Sequence, residues 1–152
     1  MNRTLLALAC MCMSSCINED LRLYETELRA SLVYSVEATA ASTLHVQVHH
    51  AQTLSSHPHP LGLIESFTLE PEGGELAPLS FERSVLVPVE AGEGLVVYAW
   101  LDLDGDGELC GLDGDGLDEP AGLLELGEFP AHELDFELAL DASCVGPEGL
   151  YP

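Results

Sequence analysis

Residues 95–107 read Leu-Val-Val-Tyr-Ala-Trp-Leu-Asp-Leu-Asp-Gly-Asp-Gly. An apolar and aromatic run, Leu95–Leu101, passes without a break into an acidic, glycine-rich stretch. The run is too short for an ordinary helix, and Glu90-Ala91-Gly92-Glu93-Gly94 precedes it as a connection. It therefore reads as a strongly buried strand that ends in a loop. Upstream, Leu44, Val46 and Val48 alternate with His45, Gln47 and His49, the pattern of a half-buried strand. Leu63–Leu69 and Phe81–Val89 are further strands, the second with Val85, Val87 and Val89 on one face. Pro88 places that strand at a sheet edge or breaks it near its end. Downstream, Leu134, Phe136, Leu138 and Leu140 point inward, with Asp135, Glu137 and Asp141 outward.

The connections are equally legible. Residues 51–62, with Pro58, Pro60 and Gly62, read as a loop, and Pro71-Glu72-Gly73-Gly74 as a turn. Residues 17–42 carry two patterns. Leu21, Tyr24, Leu28 and Leu32 follow a helical spacing, whereas Val33-Tyr34-Ser35-Val36 suits a strand, so a first strand is expected within about 22–36. Short strands between Gly and Pro turns predict an all-β fold: one β-sandwich of about seven strands with a long acidic Asp/Gly inter-strand loop.

The chain has 152 residues, enough for one domain with a real core, and 47% of them are hydrophobic. Acidic residues number 27 against four arginines, and lysine is absent, for a formal charge of -23. Such a field repels nucleic acid and anionic lipid, and the lack of lysine excludes lysine-based catalysis or a lysine phosphate clamp.

The N-terminus reads MNRTLLALACMCMSSC: one arginine, an apolar run from Leu5 to Met13, then small residues. That is the layout of a secretory signal, too short to span a bilayer as a helix. The stretch Met13-Ser14-Ser15-Cys16 resembles the lipobox of bacterial lipoproteins, with Met13 where leucine is preferred. The resemblance implies a signal over 1–15 and lipidation of Cys16, after which a short linker over 16–20 leads to the β-sandwich domain expected over 21–152. Cys10 after Ala7-Leu8-Ala9 is a rival cleavage site with a shorter apolar run, and an ordinary signal peptide is the plainer alternative. Ile17 rather than aspartate after Cys16 favours outer-membrane sorting in a diderm bacterium, with the periplasmic or surface face left open. In an oxidising compartment Cys110 and Cys144 make one disulfide, tying the acidic loop to the C-terminal tail; two separate free thiols are the alternative.

Residues 101–122 hold the main chemical signal. Asp102, Asp104 and Asp106 fall at alternating positions before Gly107, matching positions 1, 3, 5 and 6 of a calcium loop. Glu108 at position 7 would offer its carbonyl, and Asp113 stands at position 12 in place of the usual glutamate. Asp115, Asp118 and Glu119 complete the same shell or build a second one. Carboxylates drawn together repel unless protonated or bound to a cation, and Ca2+ takes six to eight oxygens in a flexible shell. The plainer alternative is a solvated acidic turn. Pro120 and Gly122 exclude an immediate exiting helix, so the expected ion is a structural brace of a long inter-strand loop.

The segment Val96–Gly107, followed by Glu119-Pro120 and Gly122, resembles bacterial prealbumin-like (transthyretin-like) extracellular β-sandwich modules over about residues 81–141. Here the loop is longer and carries an added cysteine, Cys110. The resemblance implies a noncatalytic envelope or surface domain with a structural or adhesive role.

Other residues point less sharply. His45, His49, His50, His57 and His59 cluster in sequence, but neighbouring positions on a strand face opposite ways, so solvated or hydrogen-bonded histidines outweigh a zinc or copper site. Tyr98 and Trp100 share a strand face and are expected to pack in the core. No nucleophile motif or zinc helix is present, so an enzyme is not expected. Two roles remain: a calcium-stabilised envelope lipoprotein held to the membrane by its lipid, with a protein or glycan partner, or a soluble secreted protein that binds a peptide, glycan or metal.

Overall fold

A computed structural model describes residues 23–52, 61–71, 78–88, 93–111 and 117–151. The signal segment, Cys16 and the linker lie outside the described residues, as do His57, His59, Val89, Asp113 and Asp115. The described chain forms β1 (Leu23–Tyr34), β2 (Thr43–Gln52), β3 (Leu61–Leu69), β4 (Leu79–Pro88), β5 (Glu93–Asp102), β6 (Pro120–Leu126), β7 (Glu133–Leu140), β8 (Ala142–Ser143) and a one-turn helix α1 (Pro147–Leu150). Two sheets result, ordered β4-β1-β7 and β3-β2-β5-β6-β8. The architecture is an all-β sandwich, as the alternating patterns imply.

The ambiguity of residues 17–42 resolves as strand. Tyr24, Leu28 and Leu32 are four apart, a spacing that also keeps residues on one face of a strand; Leu28 and Leu32 are buried together with the intervening Thr26 and Ala30, and Tyr24 is half-buried. β1 pairs antiparallel with β4 and parallel with β7, bringing Leu28 beside Leu134 and Leu32 beside Leu138. Leu28, Leu32, Val85, Val87, Leu134, Leu138 and Leu140 from this sheet meet Leu44, Val46, Val48, Leu95, Val97, Ala99 and Leu101 from the other in one core. Each fully buried leucine or valine there contributes roughly 1.5–3 kcal/mol. β4 lies at a sheet edge, in keeping with Pro88.

Two strands depart from the sequence reading. Pro120-Ala121-Gly122, expected only to rule out a helix after the acidic loop, opens a strand, β6. Proline is tolerated as the first residue of a strand, and Gly122 is required by a close approach: a Cβ there would stand 2.1 Å from the Ala139 carbonyl oxygen of β7. The two sheets therefore close upon each other at this edge. At the opposite edge Arg83 of β4 pairs with Glu65 of β3, and Phe67 meets Phe81 edge-on at 5.2 Å. The other unforeseen strand is the two-residue β8, which pairs with the start of β6. The segment expected as a loop over 51–62 is also shorter than expected, since β2 runs to Gln52 and β3 begins at Leu61.

Tyr98 and Trp100 are buried, but not between the sheets. They belong to a second cluster with Ala121 on the outer face of the five-stranded sheet, with Leu109, Leu123 and Leu150 packed against it. The C-terminal segment after β7 crosses this face. The Tyr98 hydroxyl donates to the Val145 carbonyl (3.0 Å), and Cys110 is bonded to Cys144.

Candidate functional site: the aspartate loop at the end of β5

The loop begins where β5 ends. Asp102 is its last strand residue and is 1% exposed, pinned by the pairing of Thr43 with Asp102. Its Oδ1 accepts the Gly105 N–H (2.6 Å) and its Oδ2 the Gly107 N–H (2.9 Å). The chain can fold back this tightly because Gly105 and Gly107 take φ of 78° and 79°, a region glycine enters without penalty. Asp104 and Asp106 repeat the device on a smaller scale. Asp104 Oδ1 accepts the Asp106 N–H (3.1 Å), and Asp106 Oδ1 the Glu108 N–H (2.7 Å). The carboxylates of Asp102, Asp104 and Asp106 offer oxygens within 4.8 Å of one another, Asp102 buried and the other two exposed.

A second buried carboxylate braces the same loop. Glu119, 1% exposed, accepts the Leu103 N–H on Oε1 (2.8 Å) and the Cys110 N–H on Oε2 (2.6 Å). Burial pushes its pKa up; these two N–H groups act against the rise, and Asp102 and Asp104 add to it. From behind, Ser42 donates its hydroxyl to the Leu103 carbonyl (3.3 Å), fixing the loop to the turn before β2.

The residues singled out in the sequence therefore divide. Asp102, Asp104 and Asp106 come together. Glu119 turns to the backbone of Leu103 and Cys110 and stands outside that trio. Glu108 and Asp118 are exposed, and Asp113 and Asp115 fall outside the described residues. Cys110 and Cys144 are disulfide-bonded.

Sequence reasoning missed His45 here. Its Nε2 stands 3.6 Å from Asp102 Oδ2, and its ring stacks on Trp100 at 4.2 Å. The signal was present in the pairing of two adjacent strands, which a single sequence does not register. His49 lies farther along β2 on the same face. Its Nε2–H donates to Gln47 Oε1 (2.9 Å), and burial holds its pKa below the ordinary value while Glu148 acts in the opposite sense.

Chemically the trio offers hard oxygen donors. The two described arginines are engaged elsewhere, Arg29 with Glu27, Glu82 and Glu133 and Arg83 with Glu65. A carboxylate has about four lone-pair positions, so Asp102 keeps acceptor capacity after taking its two N–H groups. An open hollow of about 530 Å³ lies apart from the loop, along Arg29, Ser31, Glu82, Asp135 and Phe136. Among the described residues no helix is long and apolar enough to cross a membrane.

Neither a protein-family model nor a curated protein matches the chain. A solved structure, that of an alternative pilotin from the type II secretion system of Vibrio cholerae, is similar at a TM-score of 0.47 and 14% identity, covering 80% of this chain and 99% of that one. A likeness of this degree bears on neither function nor partner.

Proposed function

We propose that the chain is a calcium-braced, noncatalytic module of the bacterial cell envelope, tethered to the outer membrane through a lipidated Cys16 and serving a structural or adhesive role. The observation that carries the cation is the trio of carboxylates within 4.8 Å on a loop turned by Gly105 and Gly107. Three like charges so close favour a bound divalent ion. An all-oxygen donor set selects a hard cation, and a glycine-turned shell suits Ca2+ better than the stricter octahedron of Mg2+. Asp102, Asp104 and Asp106 would hold the ion, with water completing the shell. The loop lies at the end of a central strand, so the bound ion adds its binding free energy to folding. The prealbumin-like reading rests on the residues of β5 and the Asp/Gly loop, and the envelope location on the lipobox-like Met13–Cys16.

Calorimetry on metal-free protein tests the cation. A stoichiometric calcium heat should vanish when the exposed pair is changed to Asp104→Ala and Asp106→Ala, which spares the buried Asp102. A folded protein with no calcium heat would reduce the loop to an acidic turn. The anchor is tested separately: labelled palmitate should enter the wild-type chain in a bacterial host and not the Cys16→Ser variant.

A further inference from the structure

We propose that the C-terminal segment 142–151 is a disulfide-latched strap over the Tyr98–Trp100 face, released by a dithiol reductant while the sandwich stays folded. The inference is independent of the calcium reading. It begins with how lightly the strap is otherwise held. β8 pairs only Ala142 and Ser143 with β6. The Cys144 N–H donates to the Glu119 carbonyl (3.0 Å), and the Tyr98 hydroxyl to the Val145 carbonyl (3.0 Å). Leu150 packs on the aromatic cluster, and α1 buries no residue fully. These hydrogen bonds and the half-buried Val145, Leu150 and Tyr151, none of them fully buried, are modest against the conformational entropy of so long a segment. The Cys110–Cys144 bond is the strong tie.

The core between the sheets does not depend on that bond. Its members come from β1 to β7 and the turn at Ala38, and none from 142–151. Reduction therefore removes a peripheral cover, the kind of local opening that leaves a central sheet intact. What lies beneath is Tyr98, at 1% exposure, and Trp100, at 7%. Release uncovers the part of this aromatic cluster that the strap hides, while His45 of β2 stays stacked on Trp100.

The chemistry balances as ordinary thiol–disulfide exchange. Cys144 is the more exposed partner, so a reductant thiolate attacks its sulfur, and Cys110 leaves as thiolate and takes a proton. The Glu119 N–H, 3.3 Å from Cys110 Sγ, is a donor to that leaving sulfur. The second thiol of the reductant then displaces Cys144. Two electrons pass: the dithiol is oxidised to its disulfide, and Cys110 and Cys144 become thiols.

Trp100 is the chain's one tryptophan, so its emission reports the cluster on which Leu150 packs. On adding dithiothreitol to the oxidised full chain, the emission should shift to the red and acrylamide quenching should rise by roughly threefold, with the far-UV β signal retained. Hydrogen exchange supplies the second readout. The Cys144, Gly149 and Tyr151 amides, hydrogen-bonded in the oxidised protein, should lose protection while β2 and β5 keep theirs. A Cys110→Ser/Cys144→Ser variant should show the opened behaviour without reductant. Two outcomes overturn the proposal: a reduced protein whose Trp100 stays as shielded as before, or one that loses the β signal and all protection together.

Discussion

Gly122 shows how much one atom decides. A methyl group at this position would overlap the Ala139 carbonyl, so Gly122→Ala must push β6 and β7 apart. We expect a cost of about 3 kcal/mol, at the upper end for overpacking, seen as a lower denaturant midpoint with an unchanged slope. Glu119 is a case of the opposite kind, a side chain that must be present. Glu119→Gln replaces one of two accepting oxygens with a donor, leaving the N–H of Leu103 or Cys110 unpaired at a cost of about 1–3 kcal/mol. The same denaturant unfolding should show the loss in metal-free protein. His49 carries a pH dependence. Burial lowers its pKa from the ordinary 6.5, so the unfolded chain takes up the proton first. Its contribution is complete above 6.5 and declines as the pH falls below that value. The raised pKa of Glu119 gives a slope of opposite sign above 4.5, so the difference between wild type and His49→Gln isolates the histidine. Thermal melts across this range should show a smaller acid loss in the variant.

Among the elements, β2, β5 and β7 were legible because each alternates cleanly or is apolar throughout, and β3 and β4 were found within two residues of their ends, whereas β1 was only half legible because the spacing of Tyr24, Leu28 and Leu32 fits a helix as well as a strand. β6 was not, because Pro120 and Gly122 are turn formers wherever nothing else constrains them. Here a strand start excuses the proline and the nearby β7 requires the glycine. The alternation of Tyr98 and Trp100 correctly marked a buried face but not which face. Their cover comes from residues 142–151, whose course follows from the Cys110–Cys144 bond rather than from any local pattern. The aspartate trio was legible because its spacing lies within one turn of chain, whereas His45 joins it through the pairing of β2 with β5. The strap also sets an energetic expectation. Closing the 34-residue separation between the cysteines would contribute about 4 kcal/mol by the chain-entropy argument. If the native strap gains freedom when the bond is absent, the double-serine variant should lose less than this in global stability, as read from equilibrium denaturation.

For the whole molecule the governing quantity is its charge of -23. Self-repulsion on this scale opposes compaction, so metal-free protein should gain stability from sodium chloride through screening. Calcium should do more at equal ionic strength. At a free concentration about 100-fold above Kd, linkage gives about 2.7 kcal/mol. A melting temperature that rises equally with the two salts would leave screening as the whole effect and remove the specific site.

The parallel pairing of β1 with β7 has a consequence in time. Thr26 donates to the Ala131 carbonyl across 105 residues of sequence, and the whole three-stranded sheet is centred on the first of the described strands. Contacts so distant along the chain form slowly, because loop-closure entropy must be met before they yield any gain. A ribosome delivers β7 long after β1, and until it does, β1 has no partner on one side. The three-stranded sheet is thus completed only after β7 has been made, late in the described chain.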